Sequence, residues 1–325
     1  MTEINCPVCG FKMSPWLHIP GDWRRPGNDG SYQLHWCNSC QFGQLLPRPS
    51  AEEIPSFYQL EDYYTHNTGS LSSNLEGKQS FLARVLFHLA WRLDRGKELD
   101  RQWLQNNFAN RSISVCEIGC GNGSKLKVIK DFGCDVMGVE PDLAAREVAI
   151  SEGLKVLPGT AETLPKELEA IKFDAIFMNH VLEHVREPKL ALKNAIKLLS
   201  PGGKIIIETP NNLSIGLRDA EINWHFLDVP RHLNFFSSNS LKLLCKTEGL
   251  KVENLEFRGY ARQFSQGWIE IEQQIFHQMQ KKAQESNLPS KNTLWQAWKL
   301  FLQTAWAAPD AKYDSVRVVT TVDRP

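Results

Sequence analysis

No apolar run in this 325-residue chain approaches the roughly 20 residues that a membrane-spanning helix requires, and no charged-then-apolar leader opens it. A membrane protein is therefore not expected. An excess of either charge is missing too: Lys plus Arg and Asp plus Glu number 37 each, so no global positive field draws the chain to nucleic acid. Internal repeats and low-complexity segments are absent. Cysteine is sparse, at eight residues, and four of them (Cys116, Cys120, Cys134 and Cys245) show no paired spacing. That argues against a general disulfide framework and for the reducing cytoplasm. What remains is a 42% hydrophobic content, enough for a real core, over a length that suits two domains.

The most informative stretch is Val115-Cys116-Glu117-Ile118-Gly119-Cys120-Gly121-Asn122-Gly123. A β-rich run from Ile113 to Ile118 ends in three alternate glycines, and a helical pattern then opens at Ser124 and stops at Gly133. Glycine suits such a turn because its backbone takes dihedrals closed to other residues and lets a ligand approach where no Cβ intervenes. A second strand, Asp135 to Val139, ends at Glu140; Pro141 suits the first position of the next helix, which Gly153 closes. One carboxylate thus stands at the strand's carboxyl edge, where acidic residues of doubly wound nucleotide sites accept from ribose hydroxyls. A dinucleotide fold wants a third Gly or Ala where this chain has Ser124.

The E-x-G-x-G-x-G run from Glu117 to Gly123 resembles motif I of class I S-adenosylmethionine-dependent methyltransferases. The likeness continues through Gly159-Thr160-Ala161-Glu162-Thr163-Leu164-Pro165, then Phe173 to Asn179 with His180-Val181-Leu182-Glu183-His184-Val185, then Leu198 to Lys204 and the strand Ile205 to Thr209. It covers roughly residues 109 to 260. It implies an α/β fold, a Rossmann-like seven-stranded, mostly parallel sheet with helices on both faces. It also implies S-adenosylmethionine as cofactor. Glu117, Gly119, Cys120, Gly121 and Gly123 would surround its methionine portion, with Glu140 and Pro141 at the ribose. Ala161 and Glu162 would serve the adenine, since Thr160 stands where relatives commonly have Asp. Asn179 and His180 would bind the methionyl end or face the acceptor, and Glu183 and His184 read as a structural pair. The donor is a cation, which makes a carboxylate at Glu117 a sensible neighbour.

A second feature is independent of the first. Cys6-Pro7-Val8-Cys9 and Cys37-Asn38-Ser39-Cys40 are two C-x-x-C knuckles separated by 27 residues. Cys6, Cys9, Cys37 and Cys40 at such spacing make a tetrahedral structural zinc site, with a disulfide framework as the competing account. Four sulfur ligands leave no open position for substrate, so the metal is scaffold first.

The knuckles and the glycine turn divide the chain into a zinc ribbon (1–48), a helical linker or lid (49–108) and a methyltransferase domain (109–325). Ser50 is expected to cap a short helix that Pro55 curtails, and a helical pattern runs from about Lys78 to Asn107 with Phe81, Leu82, Val85, Leu86 and Leu89 on one side. Tyr63 or Tyr64 is expected as a lid residue. Lys251 to Phe257 and Ser315 to Val322 are expected as the last two strands, interrupted by a helical insert at about 261–312. The insert's aromatic residues serve the core, a cap over the acceptor pocket, or a homodimer contact; the sequence does not choose.

The segment from Asn223 to Ser237 is the expected substrate loop, with Trp224, Phe235 and Phe236 as apolar walls and His225 and His232 as its titratable groups. The whole chain resembles bacterial methyltransferases of sugars and secondary metabolites. In zinc-bearing sugar C-methyltransferases a Glu-His pair leads into this aromatic run; here the pair is Arg231-His232. His232 fits the base, with His225 in reserve, and Arg231 replaces the acid. The expected reaction is therefore methyl transfer to oxygen, with nitrogen as the alternative, of a small polar acceptor. An RNA methyltransferase gripping its substrate through Lys12, Arg24 and Arg25, and a noncatalytic cofactor-binding scaffold, are the alternatives.

Overall fold

A computed structural model describes residues 3–25, 27, 30–58, 80–108, 112–283 and 294–323. Tyr63 and Tyr64 lie outside the described residues.

The first three strands, β1 (Ser14–Ile19), β2 (Tyr32–Cys37) and β3 (Phe42–Leu46), form an antiparallel ribbon. Helices α1 (Phe81–Leu93) and α2 (Arg101–Phe108) lead to the larger sheet. There β4 (Ser114–Ile118), α3 (Ser124–Asp131), β5 (Asp135–Glu140), α4 (Leu143–Ser151), β6 (Val156–Pro158), β7 (Phe173–Asn179), α5 (Pro188–Lys197) and β8 (Leu199–Pro210) alternate. After α6 (Ile215–Ala220), a two-residue strand, β9 (Asn234–Phe235), returns to pair with β3. The chain closes with α7 (Ser238–Thr247), β10 (Leu250–Arg258), α8 (Gln266–Ala283), α9 (Leu294–Thr304), α10 (Pro309–Lys312) and β11 (Ser315–Val322).

The strand order β10-β11-β8-β7-β4-β5-β6 makes a seven-stranded, Rossmann-like sheet in which β11 alone runs against its neighbours. Period-two alternation sorts its side chains onto two helix-covered faces. Cys116, Ile118, Ile176, Met178, Ile205 and Ile207 face one core, while Val115, Ala175, Phe177 and Ile206 face the other with Trp103 and Phe108 of α2. Chain order reverses at β4, which pairs with β5 on one side and β7 on the other. Ligands of open α/β sheets bind outside the carboxyl ends of strands at such a switch point.

The ribbon shares a core with this sheet. Cys6, Val8, Met13, Cys37, Cys40 and Phe42 are buried with Leu182, Val185, Phe236 and Leu241, and the Phe42 and Phe236 rings lie 5.2 Å apart. No helix among the described residues is long and apolar enough to cross a membrane.

Four expectations need correction. The single helix from Lys78 to Asn107 is two helices. Asp94 caps the break, accepting from the amides of Gly96 (2.8 Å) and Ala261 (2.9 Å), so tertiary contacts override the periodicity. The buried face of α1 is Ala83, Leu86 and Ala90; Phe81, expected to pack, is 76% exposed. Pro141 does not start α4, because Asp142 takes the cap by accepting from the Ala145 amide at 2.7 Å. The strand expected from Ile205 begins at Leu199, and Ser200–Gly203 form a bulge inside β8, where the register with β7 shifts between Phe173 and Ala175. The insert's α8 joins the intramolecular core, with Trp268, Ile275 and Met279 against Ile19, Leu34 and Leu45 of the ribbon.

Candidate active site

The carboxyl ends of β4, β5 and β7 converge on the glycine turn. The amides of Gly119 and Cys120 donate to the Val139 carbonyl at 2.7 and 3.2 Å, folding the turn across β5. Gly119 has φ +72°, and a Cβ there would stand 2.6 Å from Val181 Cγ2. Gly123 has φ +75°, and a Cβ would meet Leu154 Cδ1 at 2.4 Å. The first and third glycines are thus required twice, by dihedral and by close packing. Glu140 braces the bend: its carboxylate accepts from the Gly121 amide at 2.8 Å and the Asp142 amide at 3.0 Å. Cys120 turns inward instead, its sulfur 2.5 Å from where a Cβ on Gly138 would sit.

Glu117 is 3% exposed. One of its oxygens accepts from Asn179 Nδ2 at 2.9 Å, while Oε2 is buried with no hydrogen-bond partner among the described residues. Burial pushes the carboxyl groups of both Glu117 and Glu140 above their ordinary range. A cationic ligand at the turn would add to the Lys125 charge that already acts on Glu117 and would give Oε2 the partner it lacks. The sulfonium and ammonium of S-adenosylmethionine fit that requirement. The carboxylate expected at the adenine is committed elsewhere: Glu162 accepts from the amides of Arg186 (3.3 Å) and Glu187 (3.0 Å) ahead of α5. Ala161 is buried, and its carbonyl accepts from Asn194 at 3.1 Å.

A second group of polar side chains begins one residue beyond Asn179. His180 has a left-handed φ of +54°, and its Nδ1 donates to Glu183 at 2.9 Å while Nε2 lies 3.4 Å from Glu208. Burial disfavours its charged form, but the two carboxylates outweigh that and leave its pKa raised. Burial likewise opposes the charge on Glu208, yet His180, Arg317 and Arg258 hold it well below the carboxylate range. The sequence signal for Glu208 was there, a carboxylate ending an otherwise apolar strand, and it was read only as strand. Phe226 sits over this region, its ring 5.5 Å from His180, 4.9 Å from Trp268 of the insert and under the Arg262 guanidinium at 4.9 Å.

Trp224, Phe235 and Phe236, expected as pocket walls, are fully buried core residues, because β9 draws the run into the ribbon sheet. Arg231, expected in an acid's place at the substrate, is also buried. Its guanidinium donates to both oxygens of Asp22 (2.7 and 3.0 Å) and to Asp228 (3.0 Å), clamping the ribbon to the loop. His225 is half-buried against Phe226 and Trp268, and burial pushes it down to about 4. His232 is 6% exposed, donates from Nδ1 to the Phe226 carbonyl at 2.8 Å, and is pushed down to about 3 by burial and by His184, whose ring is 4.6 Å away.

The four knuckle cysteines come together as expected. None is in a disulfide; Cys6 and Cys40 sulfurs are 3.5 Å apart, Cys9 and Cys37 sulfurs 3.4 Å, and all four lie within 4.8 Å of one another. Tetrahedral ligation with bonds of about 2.3 Å needs sulfurs roughly 3.8 Å apart. The Cys40 thiol, donating to Cys6, pulls Cys6 down to about 5, and Cys40 is raised in turn.

Comparison with known proteins bears on this geometry. A family model described as "Methyltransferase domain" matches residues 91–255, just over half of the chain. A ubiquinone biosynthesis O-methyltransferase of Idiomarina loihiensis is 27% identical over 175 residues, 50% of this chain and 70% of that one. A tRNA U34 carboxymethyltransferase of Trichlorobacter lovleyi is 28% identical over 48% of this chain and 54% of its own length. Among solved structures, a methyltransferase of Thermotoga maritima described as a possible histamine N-methyltransferase covers 74% of this chain and 92% of its own, at 21% identity and a TM-score of 0.43. The shared region contains the glycine turn, the Glu140 carboxylate and the end of β7, and on that ground the chain belongs to the methyltransferase-domain family and is an S-adenosylmethionine-dependent methyltransferase.

Proposed function

We propose that the enzyme methylates a hydroxyl oxygen of a small polar acceptor such as a sugar or secondary metabolite. The observation that carries the donor half is the buried, unpartnered Glu117 Oε2 at the glycine turn with Glu140 in register beside it. Gly119, Gly121 and Glu117 would hold the methionine portion, Glu140 and the backbone from Pro141 the ribose, and Ala161 the adenine through its backbone. The bound sulfonium supplies an electrophilic methyl group. The chain holds donor and acceptor collinear, a positioning contribution that reaches several kcal/mol. The acceptor oxygen forms its bond to the methyl carbon as the carbon–sulfur bond breaks, the electron pair stays on sulfur, and the hydroxyl proton leaves. His232 and His225 stand on the acceptor side and are neutral at pH 7, each with a lone pair. As bases they accept a proton in passing and do not retain it, because their pKa values lie well below neutrality.

In this reading Cys6, Cys9, Cys37 and Cys40 hold a structural zinc ion, and the chain is organised as ribbon (1–48), helical linker (49–108) and methyltransferase domain (109–325). The insert's exposed Trp295, Leu302 and Trp306 are the face through which a homodimer would form. An RNA acceptor has one point in its favour, the tRNA-modifying relative. Against it, the ribbon cations are spoken for: Arg24 pairs with Asp228 (2.9 Å), Arg25 donates to the Ser56 carbonyl (2.9 Å), and Lys12 pairs with Glu3 (3.1 Å). The decisive experiment incubates the protein with methyl-labelled donor and a fractionated cell extract. Label is expected in a small-molecule fraction, and label confined to RNA would overturn the proposal. In parallel, Glu140→Ala should weaken donor binding at least about tenfold by calorimetry, with the loss of one buried polar contact setting that scale.

A further inference from the structure

The turn after β7 and the loop after β8 bring three further side chains together, and their free lone pairs converge. Donor atoms of Glu183, His184 and His232 lie within 4.8 Å of one another. Glu183 is 1% exposed. Its Oε1 accepts from His180, and its Oε2 is buried with no hydrogen-bond partner among the described residues. The imidazole tautomers follow from their partners. A carbonyl can only accept, so His232 Nδ1, 2.8 Å from the Phe226 carbonyl, carries the proton and Nε2 keeps its lone pair. At His184 Nδ1 the Arg231 carbonyl lies at 3.1 Å and the Tyr58 hydroxyl at 2.9 Å, and the tautomer with its proton on Nδ1 donates to these oxygens and leaves Nε2 a lone pair. In that tautomer one carboxylate oxygen and two imidazole nitrogens face one another as acceptors. A cation between them would satisfy all three at once.

We propose that Glu183, His184 and His232 hold a divalent metal ion of borderline softness, of the Zn²⁺, Mn²⁺ or Fe²⁺ kind. Two imidazoles and one carboxylate suit such ions, and three protein ligands leave coordination positions open. The surrounding contacts are of the type that orients metal ligands: a backbone carbonyl on the far nitrogen of each imidazole and His180 on the other carboxylate oxygen. The site is next to the donor turn, since Val181 packs on Gly119 and Asn179 bonds Glu117. This deepens the O-methylation reading and rests on it. The open positions select an acceptor with two neighbouring oxygens, as in a vicinal diol. Bound to the ion, one hydroxyl gives its proton to water more readily, and that oxygen then attacks the methyl carbon. His232 is in this account a ligand and not the base.

The test uses the intact chain with its ribbon ion in place and Mn²⁺ alone as the probe, followed by electron paramagnetic resonance and by metal content per chain. One Mn²⁺ per chain beyond the ribbon ion is expected, with Glu183→Gln and His232→Gln each weakening it by about 100-fold or more. A wild-type chain that takes up no Mn²⁺, Co²⁺ or Zn²⁺ beyond the ribbon ion would overturn the proposal, and so would variants that bind as tightly as wild type. Should either variant fail to fold, the wild-type stoichiometry decides alone. Calorimetry with S-adenosylmethionine on the same samples separates the two readings. Donor heat without a second ion sinks the metal site and leaves the methyl-transfer reading intact; a second ion without donor heat supports the metal site and sinks that reading.

Discussion

The two clusters of metal-capable side chains stand at the ends of one hydrogen-bonded path and differ in how they are held. Cys6, Cys9, Cys37 and Cys40 come from two tight turns in the ribbon, offer only sulfur, and close around their centre. Glu183, His184 and His232 come from loops after different strands, offer nitrogen and oxygen, and number three where the ribbon has four. The path between them is explicit. β3 pairs with β9; the amides of Leu233 and Asn234 donate to the Glu183 carbonyl at 2.7 and 3.1 Å; and Asn234 Nδ2 donates to the carbonyls of Leu182 and Val185 at 2.9 and 2.7 Å. The closed cluster thus supports the turn that carries the open one. The ribbon thereby braces the loop that carries His232 and the turn that carries Glu183.

The largest effect should come from breaking the closed end. Cys37→Ser removes one of four thiolates, and with a structural zinc ion held there as proposed it takes away binding on the order of 10 kcal/mol from so small a module. Because Phe42 and Met13 share a core with Leu182 and Phe236, the loss should spread: amides of β9 and of residues 182–186 should exchange freely in deuterium, while β4 and β5 stay protected. Retained protection at β9 would show the two regions to be independent.

Next in size is the clamp between them. Arg231→Met leaves Asp22 buried without its cation and Asp228 with Arg24 alone, and removal of one partner from a buried ion pair costs about 3–5 kcal/mol. Urea unfolding of the variant should show a loss of that order. A loss below about 1 kcal/mol would mean that the aspartates find other partners or take up protons and that the ribbon is held by its apolar contacts alone.

The same contrast explains what could be read before the structure. The closed cluster was legible because its ligands are paired in sequence, and the glycine turn with Glu140 because strand, turn and helix are local. The sheet followed from the family resemblance, with Phe173–Asn179 and Ser315–Val322 matching β7 and β11 residue for residue. The open cluster was not legible. Glu183-His184 and His232 are far apart in sequence, and only the pairing of β9 with β3, a two-residue strand with no periodicity of its own, brings them together. Arg231 and the aromatic residues beside it were misread for a related reason. A polar and aromatic loop resembles a substrate pocket until the ribbon is seen to bury it.

The smallest predicted effect concerns two imidazoles on the acceptor side that titrate in opposite senses. His225 is held at about 4 by burial and then by Arg24, below the roughly 6.5 of an unfolded chain. Between those values the unfolded chain binds the extra proton, so the folded state is at full advantage above about pH 6.5 and loses stability as pH falls. His180 is raised by its two carboxylates, so its contribution is full below about pH 6.5 and is lost on raising the pH through its folded value. His225→Gln removes only the first effect. The drop in melting temperature between about pH 7.5 and about pH 5 should therefore be smaller in the variant than in wild type, by an amount on the order of 1–2 kcal/mol in stability. An equal drop in both proteins would mean that water reaches His225 beside Phe226 and Trp268, and that the loop between the two clusters is looser than its packing implies.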